Sequence, residues 1–222
     1  IAVNRRLSIK GDYFKNIHPN SLSFTGGSTW EVIMRGTETQ EFTNVDPIPR
    51  LRINNPNTVN ITESFQITNR FRINNGSGVI NLEKGMIIAS TARNFTIPAT
   101  ATVVVKSGAV LVVDKNLIIN GVLKIEAGGK LEMGNGRNLI VNPDGLIHLN
   151  GASGNIATIS SISGRFNFKI FSFLFITIEI IQIIKSYRLC HICFYSTLFF
   201  KARFFRWKSR FRYSCYPNPI QF

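Results

Sequence analysis

From Ile97 onward, short apolar runs alternate with corners built on glycine, and this rhythm constrains the fold more than any other feature of the chain. Val103-Val104-Val105 passes through Ser107-Gly108 to Val110-Leu111-Val112-Val113. Leu117-Ile118-Ile119 passes through Asn120-Gly121 to Val122-Leu123-Lys124-Ile125. Ala127-Gly128-Gly129 precedes Lys130-Leu131-Glu132-Met133, and Leu139-Ile140-Val141 passes through Pro143-Asp144-Gly145 to Leu146-Ile147-His148-Leu149. A helix is a poor competitor, because each glycine inside an apolar window costs it about 1 kcal/mol. A β-sandwich would use strands of about 5–6 residues with turns every 8–12. The runs here are shorter and their corners tighter, which favours coils that stack and pair their backbones with one another.

The same rhythm begins less regularly at Leu51. Leu51-Arg52-Ile53-Asn54-Asn55 is nearly copied by Phe71-Arg72-Ile73-Asn74-Asn75, and Val59-Asn60-Ile61 and Val79-Ile80-Asn81-Leu82 fall between and after them. Asparagine and glycine at these corners are expected to supply the left-handed backbone that a tight turn needs. Residues 1–50 are less regular. Ser21-Leu22-Ser23-Phe24 and Trp30-Glu31-Val32-Ile33-Met34 read as short strands, and Asp46-Pro47-Ile48-Pro49 reads as a break.

The fold expected is all-β: a right-handed parallel β-helix or β-solenoid with short strands and Gly/Asn corners, followed by an irregular or poorly folded C-terminal quarter. It divides into an irregular N-terminal β segment over 1–50, the solenoid over 51–164, and an aberrant hydrophobic and basic tail over 165–222. The corners at Gly108, Gly121, Gly129 and Gly145 are unevenly spaced, so the repeat is degenerate.

The stretches Ile97-Pro98-Ala99-Thr100-Ala101-Thr102-Val103, Ser107-Gly108-Ala109-Val110-Leu111, Asn120-Gly121-Val122-Leu123 and Gly128-Gly129-Lys130-Leu131-Glu132-Met133 resemble the β-solenoid segments of large surface proteins of the Bacteroidota. The run from Phe24 to Gln40 is similar in style, so the resemblance covers roughly residues 20–164. It implies an extracellular or bacterial cell-surface setting, with an extracellular glycan or a surface protein as partner. A second likeness runs to the glycine-rich G8 domain of extracellular proteins, although that family's defining tryptophans and prolines are not evident here.

Charge divides the chain at Gly164. Residues 1–164 hold 16 Lys/Arg against 11 Asp/Glu, whereas 165–222 hold 10 against one. The net charge of +14 therefore sits mostly in the tail, and a nucleic-acid partner is not expected. All 17 glycines lie at or before Gly164, and all three cysteines (Cys190, Cys193, Cys215) lie after it. A tail rich in Phe, Ile, Lys, Arg and Cys, joined without a linker, is expected to be the product of a shifted AT-rich reading frame. The apolar run Ile170 to Ile184 falls short of the ~20 residues of a membrane span and carries Glu179, so no span is expected. The chain opens on Ile1 with no basic and apolar leader visible, and is expected to be a piece of a larger protein.

Few residues suggest chemistry. Cys190-His191-Ile192-Cys193 could be a redox pair or half a zinc site, but no second ligand pair completes it. Asp114, Glu126, Glu132 and Asp144 recur along the solenoid beside glycines or Lys115, Lys124 and Lys130, which suits solvated faces of mixed charge better than the fixed carboxyl pair of a glycosidase. His148, between Ile147 and Leu149, should face outward, and His18 has no evident partner. Asn60, Asn75 and Asn94 begin matches to the glycosylation sequon, which an Asn-rich repeat yields by chance. The expectation is a non-catalytic structural or adhesive segment with no catalytic, cofactor or metal residue. The rival is a carbohydrate-binding or polysaccharide-degrading β-helix.

Overall fold

The structure, a computed structural model, describes residues 6–24, 29–89, 93–152, 154–162, 167–170 and 178–179; for 86–89, 168–170 and 178–179 it describes the backbone. The described residues form strands and no helix. In chain order these are β1 (Arg6–Ile9), β2 (Tyr13–Asn16), β3 (Glu31–Met34), β4 (Gln40–Asn44), β5 (Ile48–Ile53), β6 (Thr58–Ile61), β7 (Phe65–Ile73), β8 (Val79–Leu82), β9 (Gly85–Ala89) and β10 (Phe95–Ile97). They continue with β11 (Thr102–Val105), β12 (Ala109–Val113), β13 (Leu117–Ile119), β14 (Val122–Ile125), β15 (Lys130–Met133), β16 (Asn138–Val141), β17 (Leu146–Asn150), β18 (Thr158–Ser161), β19 (Asn167–Ile170) and β20 (Ile178–Glu179).

Neighbours in each sheet are separated by a full coil of chain. The first sheet stacks β1-β3-β5-β7-β9-β12-β15-β18, the second β2-β4-β6-β8-β11-β14-β17-β20, and the third β10-β13-β16-β19. The strand pairings are all parallel, so the chain is an all-β solenoid. The N-terminal strands belong to it, since β1 to β4 stack in register under β5 and β6. The near-copied units of the sequence are stacked partners: Leu51, Arg52 and Ile53 pair with Phe71, Arg72 and Ile73.

Alternation explains the core. In β5, Ile48, Leu51 and Ile53 are buried, and in β14 Leu123 and Ile125 are. Parallel in-register stacking then lays like upon like. Val59, Ile80, Val103, Leu123 and Ile147 form one internal column, and Leu117, Leu139 and Phe95 share another. Aromatic rings stack inside the N-terminal half, with Phe14 on Phe42 (5.2 Å between centroids) and Phe71 on Phe95 (4.6 Å).

The cross-section changes along the axis. Early coils carry two strands, and the nine-residue β7 spans two faces in one element. In the next coil that path is divided between β9 and β10, which adds the third sheet. Coil length varies with it: 19 residues separate Val32 from Leu51, 20 separate Leu111 from Leu131, and 28 separate Leu131 from Ile159. The long interval holds an excursion closed by an antiparallel bridge between Ala152 and Asn155.

Three expectations are corrected. The break read at Asp46-Pro47-Ile48-Pro49 ends sooner than expected, since Ile48 and Pro49 already belong to β5. The segment from Ser21 to Phe24 is a loop apart from one bridge at Ser23, because Leu22 turns inward with its N–H donating to the Asp46 carboxylate (2.8 Å). Corner asparagines do not supply left-handed backbone: among the described non-glycine residues, Asn20 alone has positive φ (64°). Glycine does that work: Gly76, Gly136 and Gly154 are left-handed at separate turns, and at one corner Gly85, Gly108 and Gly128 share φ near +78° to +79° and lie on successive coils joined by N–H···O bonds of 3.2 Å. The tail reading falls mostly outside the described residues. Within it, β19 pairs with β16 in register, Asn138 with Asn167 through Val141 with Ile170, and β20 pairs with β17.

Candidate functional site

On the outer face of the first sheet, in its N-terminal half, arginines are stacked upon arginines. Buried Leu51 and Ile53 in β5, and buried Phe71 and Ile73 in β7, force the residues that alternate with them outward. Those residues are Arg50, Arg52, Arg70 and Arg72, and the register places Arg50 beside Arg70 and Arg52 beside Arg72. Strand neighbours lie about 4.8 Å apart, so each row holds two guanidinium stems at that spacing. Below them the first row continues through Glu31 to Arg6, and the second through Ile33 to Ser8.

One carboxylate serves this face. Glu31 is 6 % exposed, and its Oε1 accepts from both Nε and Nη2 of Arg52 at 2.9 Å. Arg6 Nε approaches Glu31 Oε2 at 3.9 Å. Arg50 donates instead to the Asn69 side-chain oxygen at 3.1 Å. Arg70 and Arg72 have no hydrogen-bonding or ionic partner among the described residues. Partial burial, then the neighbouring charges of Arg72, Arg93, Arg50 and Arg52, hold the Arg70 pKa below the ordinary arginine value. Stacked like charges oppose folding, and the guanidinium fork is suited to carboxylate, sulfate or phosphate oxygens.

The rest of the outer surface is arranged differently. Lys84 meets Glu63 at 3.3 Å, Lys106 meets Glu83 at 2.9 Å, Lys124 meets Glu126 at 3.0 Å and Lys130 meets Glu132 at 2.5 Å. Two of the four singled-out carboxylates, Glu126 and Glu132, are thus paired with the lysines named beside them. His148 is half-buried in β17, with Lys124 as its register neighbour. Asp144 is exposed at a corner, beside a shallow cleft lined also by Asn75, Thr96, Pro98, Asn120 and Asn142. It is the one ionisable group lining that cleft, whereas two-carboxylate hydrolysis needs a partner acid. Among the described residues no three His, Cys, Asp or Glu side chains converge as a metal site, and no helix is long and apolar enough to cross a membrane. The Cys190–Cys193 pair and the basic-aromatic stretch of the tail lie outside the described residues.

Among the described residues Asp46 is the most buried carboxylate, at 4 % exposure. Its oxygens accept from Asn20 N–H (2.6 Å), Leu22 N–H (2.8 Å) and the Asn16 side-chain amide (3.1 Å). It fastens the loop over residues 17–24 onto the solenoid, and its acceptors are satisfied from within the protein. This is a structural hub rather than a site open to a ligand.

Sequence reading missed the arginine rows, although their signal was present in the copied units Leu51-Arg52-Ile53 and Phe71-Arg72-Ile73. No family model, curated protein or solved structure compared with the chain matches it.

Proposed function

We propose that this chain is a non-catalytic structural or adhesive β-solenoid segment of a secreted or cell-surface bacterial protein. The observation that supports this best is the stacking itself. Eight strands in register give the first sheet a span of about 34 Å along the axis. Such a body holds its surface rigid and repeats it at fixed intervals, as a stalk or display element must. Four of its acids, Glu63, Glu83, Glu126 and Glu132, are taken up by lysines, and the cleft at Asp144 lacks a second carboxyl.

A carbohydrate-binding role is favoured as the second reading by the arginine face, which offers charge without chemistry. The test is to incubate the full chain with a panel of neutral and acidic polysaccharides and to follow new reducing ends. No turnover is expected. Sustained release that disappears on Asp144→Asn would overturn the non-catalytic reading.

A further inference from the structure

We infer that the stacked arginine rows of β5 and β7 form a binding face for a linear acidic polysaccharide, one bearing a carboxylate or sulfate on its sugars. The inference deepens the adhesive reading by naming a surface and a ligand class.

Charge is the first ground. Arg6, Arg50, Arg52, Arg70 and Arg72 share one carboxylate, Glu31, which Arg52 already engages. Four lysines elsewhere on the described surface, Lys84, Lys106, Lys124 and Lys130, find acids at 2.5–3.3 Å, whereas here cation is stacked on cation. Stacking arginine on arginine costs stability, and an anionic ligand laid across the rows would remove that repulsion.

Geometry is the second ground. The rows run along the solenoid axis at the strand spacing of about 4.8 Å. An extended acidic glycan presents its anions at a similarly short, regular repeat, so successive guanidinium groups can each take one carboxylate or sulfate. The neighbouring outward positions are polar: Ser8, Gln66, Thr68 and Asn69. Thr68 and Asn69 offer hydrogen bonds that suit sugar hydroxyls. A single-stranded nucleic acid would call for exposed rings on which bases stack. Here the nearby aromatic side chains, Phe65 and Phe71, are buried at 5 % and 3 % exposure.

The test is titration of the full chain with polygalacturonate at low ionic strength, with dextran and an oligo-dT of matched charge as comparators. The variant Arg50→Gln/Arg70→Gln/Arg72→Gln is expected to bind polygalacturonate about tenfold or more weakly than the parent. A control, Arg203→Gln/Arg206→Gln/Arg210→Gln, removes charge from the basic tail and is expected to bind as the parent does. Dextran and oligo-dT should bind more weakly than polygalacturonate. Equal binding by the β5–β7 variant, transfer of the loss to the tail variant, or oligo-dT binding as tight as polygalacturonate would each overturn the inference. Arg72→Gln alone, an exposed change, guards against misfolding of the triple variant, and is expected to weaken binding about threefold; no loss there overturns the inference as well. Relief of repulsion gives a separate readout, since Arg70→Gln is expected to melt no lower than the parent. A negative binding result would leave the passive structural reading standing, whereas glycan turnover would remove that reading and not this face.

Discussion

At the scale of single residues, the polar side chains of this solenoid hold coils together more than they shape corners. Asp46 shows this most directly. Burial pushes its pKa up, but hydrogen bonds from Leu22 N–H, the Asn16 amide, and the Asn20 and Ser21 N–H groups outweigh burial and hold it below the ordinary aspartate value. The sign follows from linkage. The carboxylate contributes stability in full above the unfolded pKa of ~3.9, and that contribution is lost as pH falls through the lower folded value. Asp46→Asn should therefore lower the melting temperature at neutral pH, by the equivalent of about 1–3 kcal/mol for a weakened buried acceptor. The gap between variant and parent should close in melts taken toward pH ~2. A gap that persists unchanged in acid would show that packing, not the carboxylate charge, holds the loop. Asparagine follows the same logic. Asn74 to Asn54 (2.7 Å), Asn81 to Asn60 (2.8 Å), Asn138 to Asn116 (3.2 Å) and Asn142 to Asn120 (2.6 Å) are hydrogen bonds from one side-chain amide to another across adjacent coils. Their recurrence was legible in the sequence, but their role was not, since a ladder exists only once two distant asparagines share a register.

At the scale of elements, glycine corners and short strands were the most readable features. The runs at 103–105, 110–113, 117–119, 122–125, 130–133, 139–141 and 146–149 fall within β11 to β17. Alternation shows through there because one face is uniformly Val, Ile or Leu. The elements β1, β2 and β4 were not legible, because four or five residues with one or two polar outward positions resemble loop until a neighbour pairs with them. The Arg50–Arg70 contact was hidden for a related reason. Arg50 and Arg70 keep the 20-residue offset of the copied units, but the extra residue in β7 opposite the step from Ile48 to Arg50 breaks that spacing just before them, so nothing in the sequence marks where the equal register begins. Corners admit a sharper test. A methyl group added at Gly121 would collide with the carbonyl oxygens of Pro98 and Ala101 on the coil below, whereas one added at Gly11 meets nothing within 4 Å. Gly121→Ala is expected to lower stability by about 1–3 kcal/mol, and Gly11→Ala to change it by no more than about 0.5 kcal/mol. Chemical denaturation of both variants checks the pair, and comparable losses would mean that backbone freedom rather than coil-to-coil approach fixes these glycines.

At the scale of the whole molecule, a solenoid is held by contacts between neighbouring coils, so stability should be a property of coil number and register rather than of one central core. The register makes a specific deletion available. Leu111 pairs with Leu131 and Val110 with Lys130, so removing residues 111–130 joins Val110 to Leu131 and takes out one coil. After that deletion β16 can stack on β10 and β17 on β11, each in the position its lost neighbour held, because Phe95, Leu117 and Leu139 form one column and Val103, Leu123 and Ile147 another. The shortened chain is expected to keep a β-rich circular dichroism spectrum and to unfold at a somewhat lower temperature. Removing residues 111–120 deletes half a coil instead. It sets β14 and β15 out of step with the coil beneath and turns buried columns toward corners, so that chain is expected to lose cooperative unfolding altogether. Equal tolerance of the two deletions would mean that the coils fold independently of their stacking, which the unbroken columns of Val, Ile and Leu argue against. The same reasoning bears on the arginine face. β5 and β7 lie on the N-terminal side of the deleted coil, so the 111–130 deletion is expected to preserve binding to an acidic glycan while shortening the body that displays it.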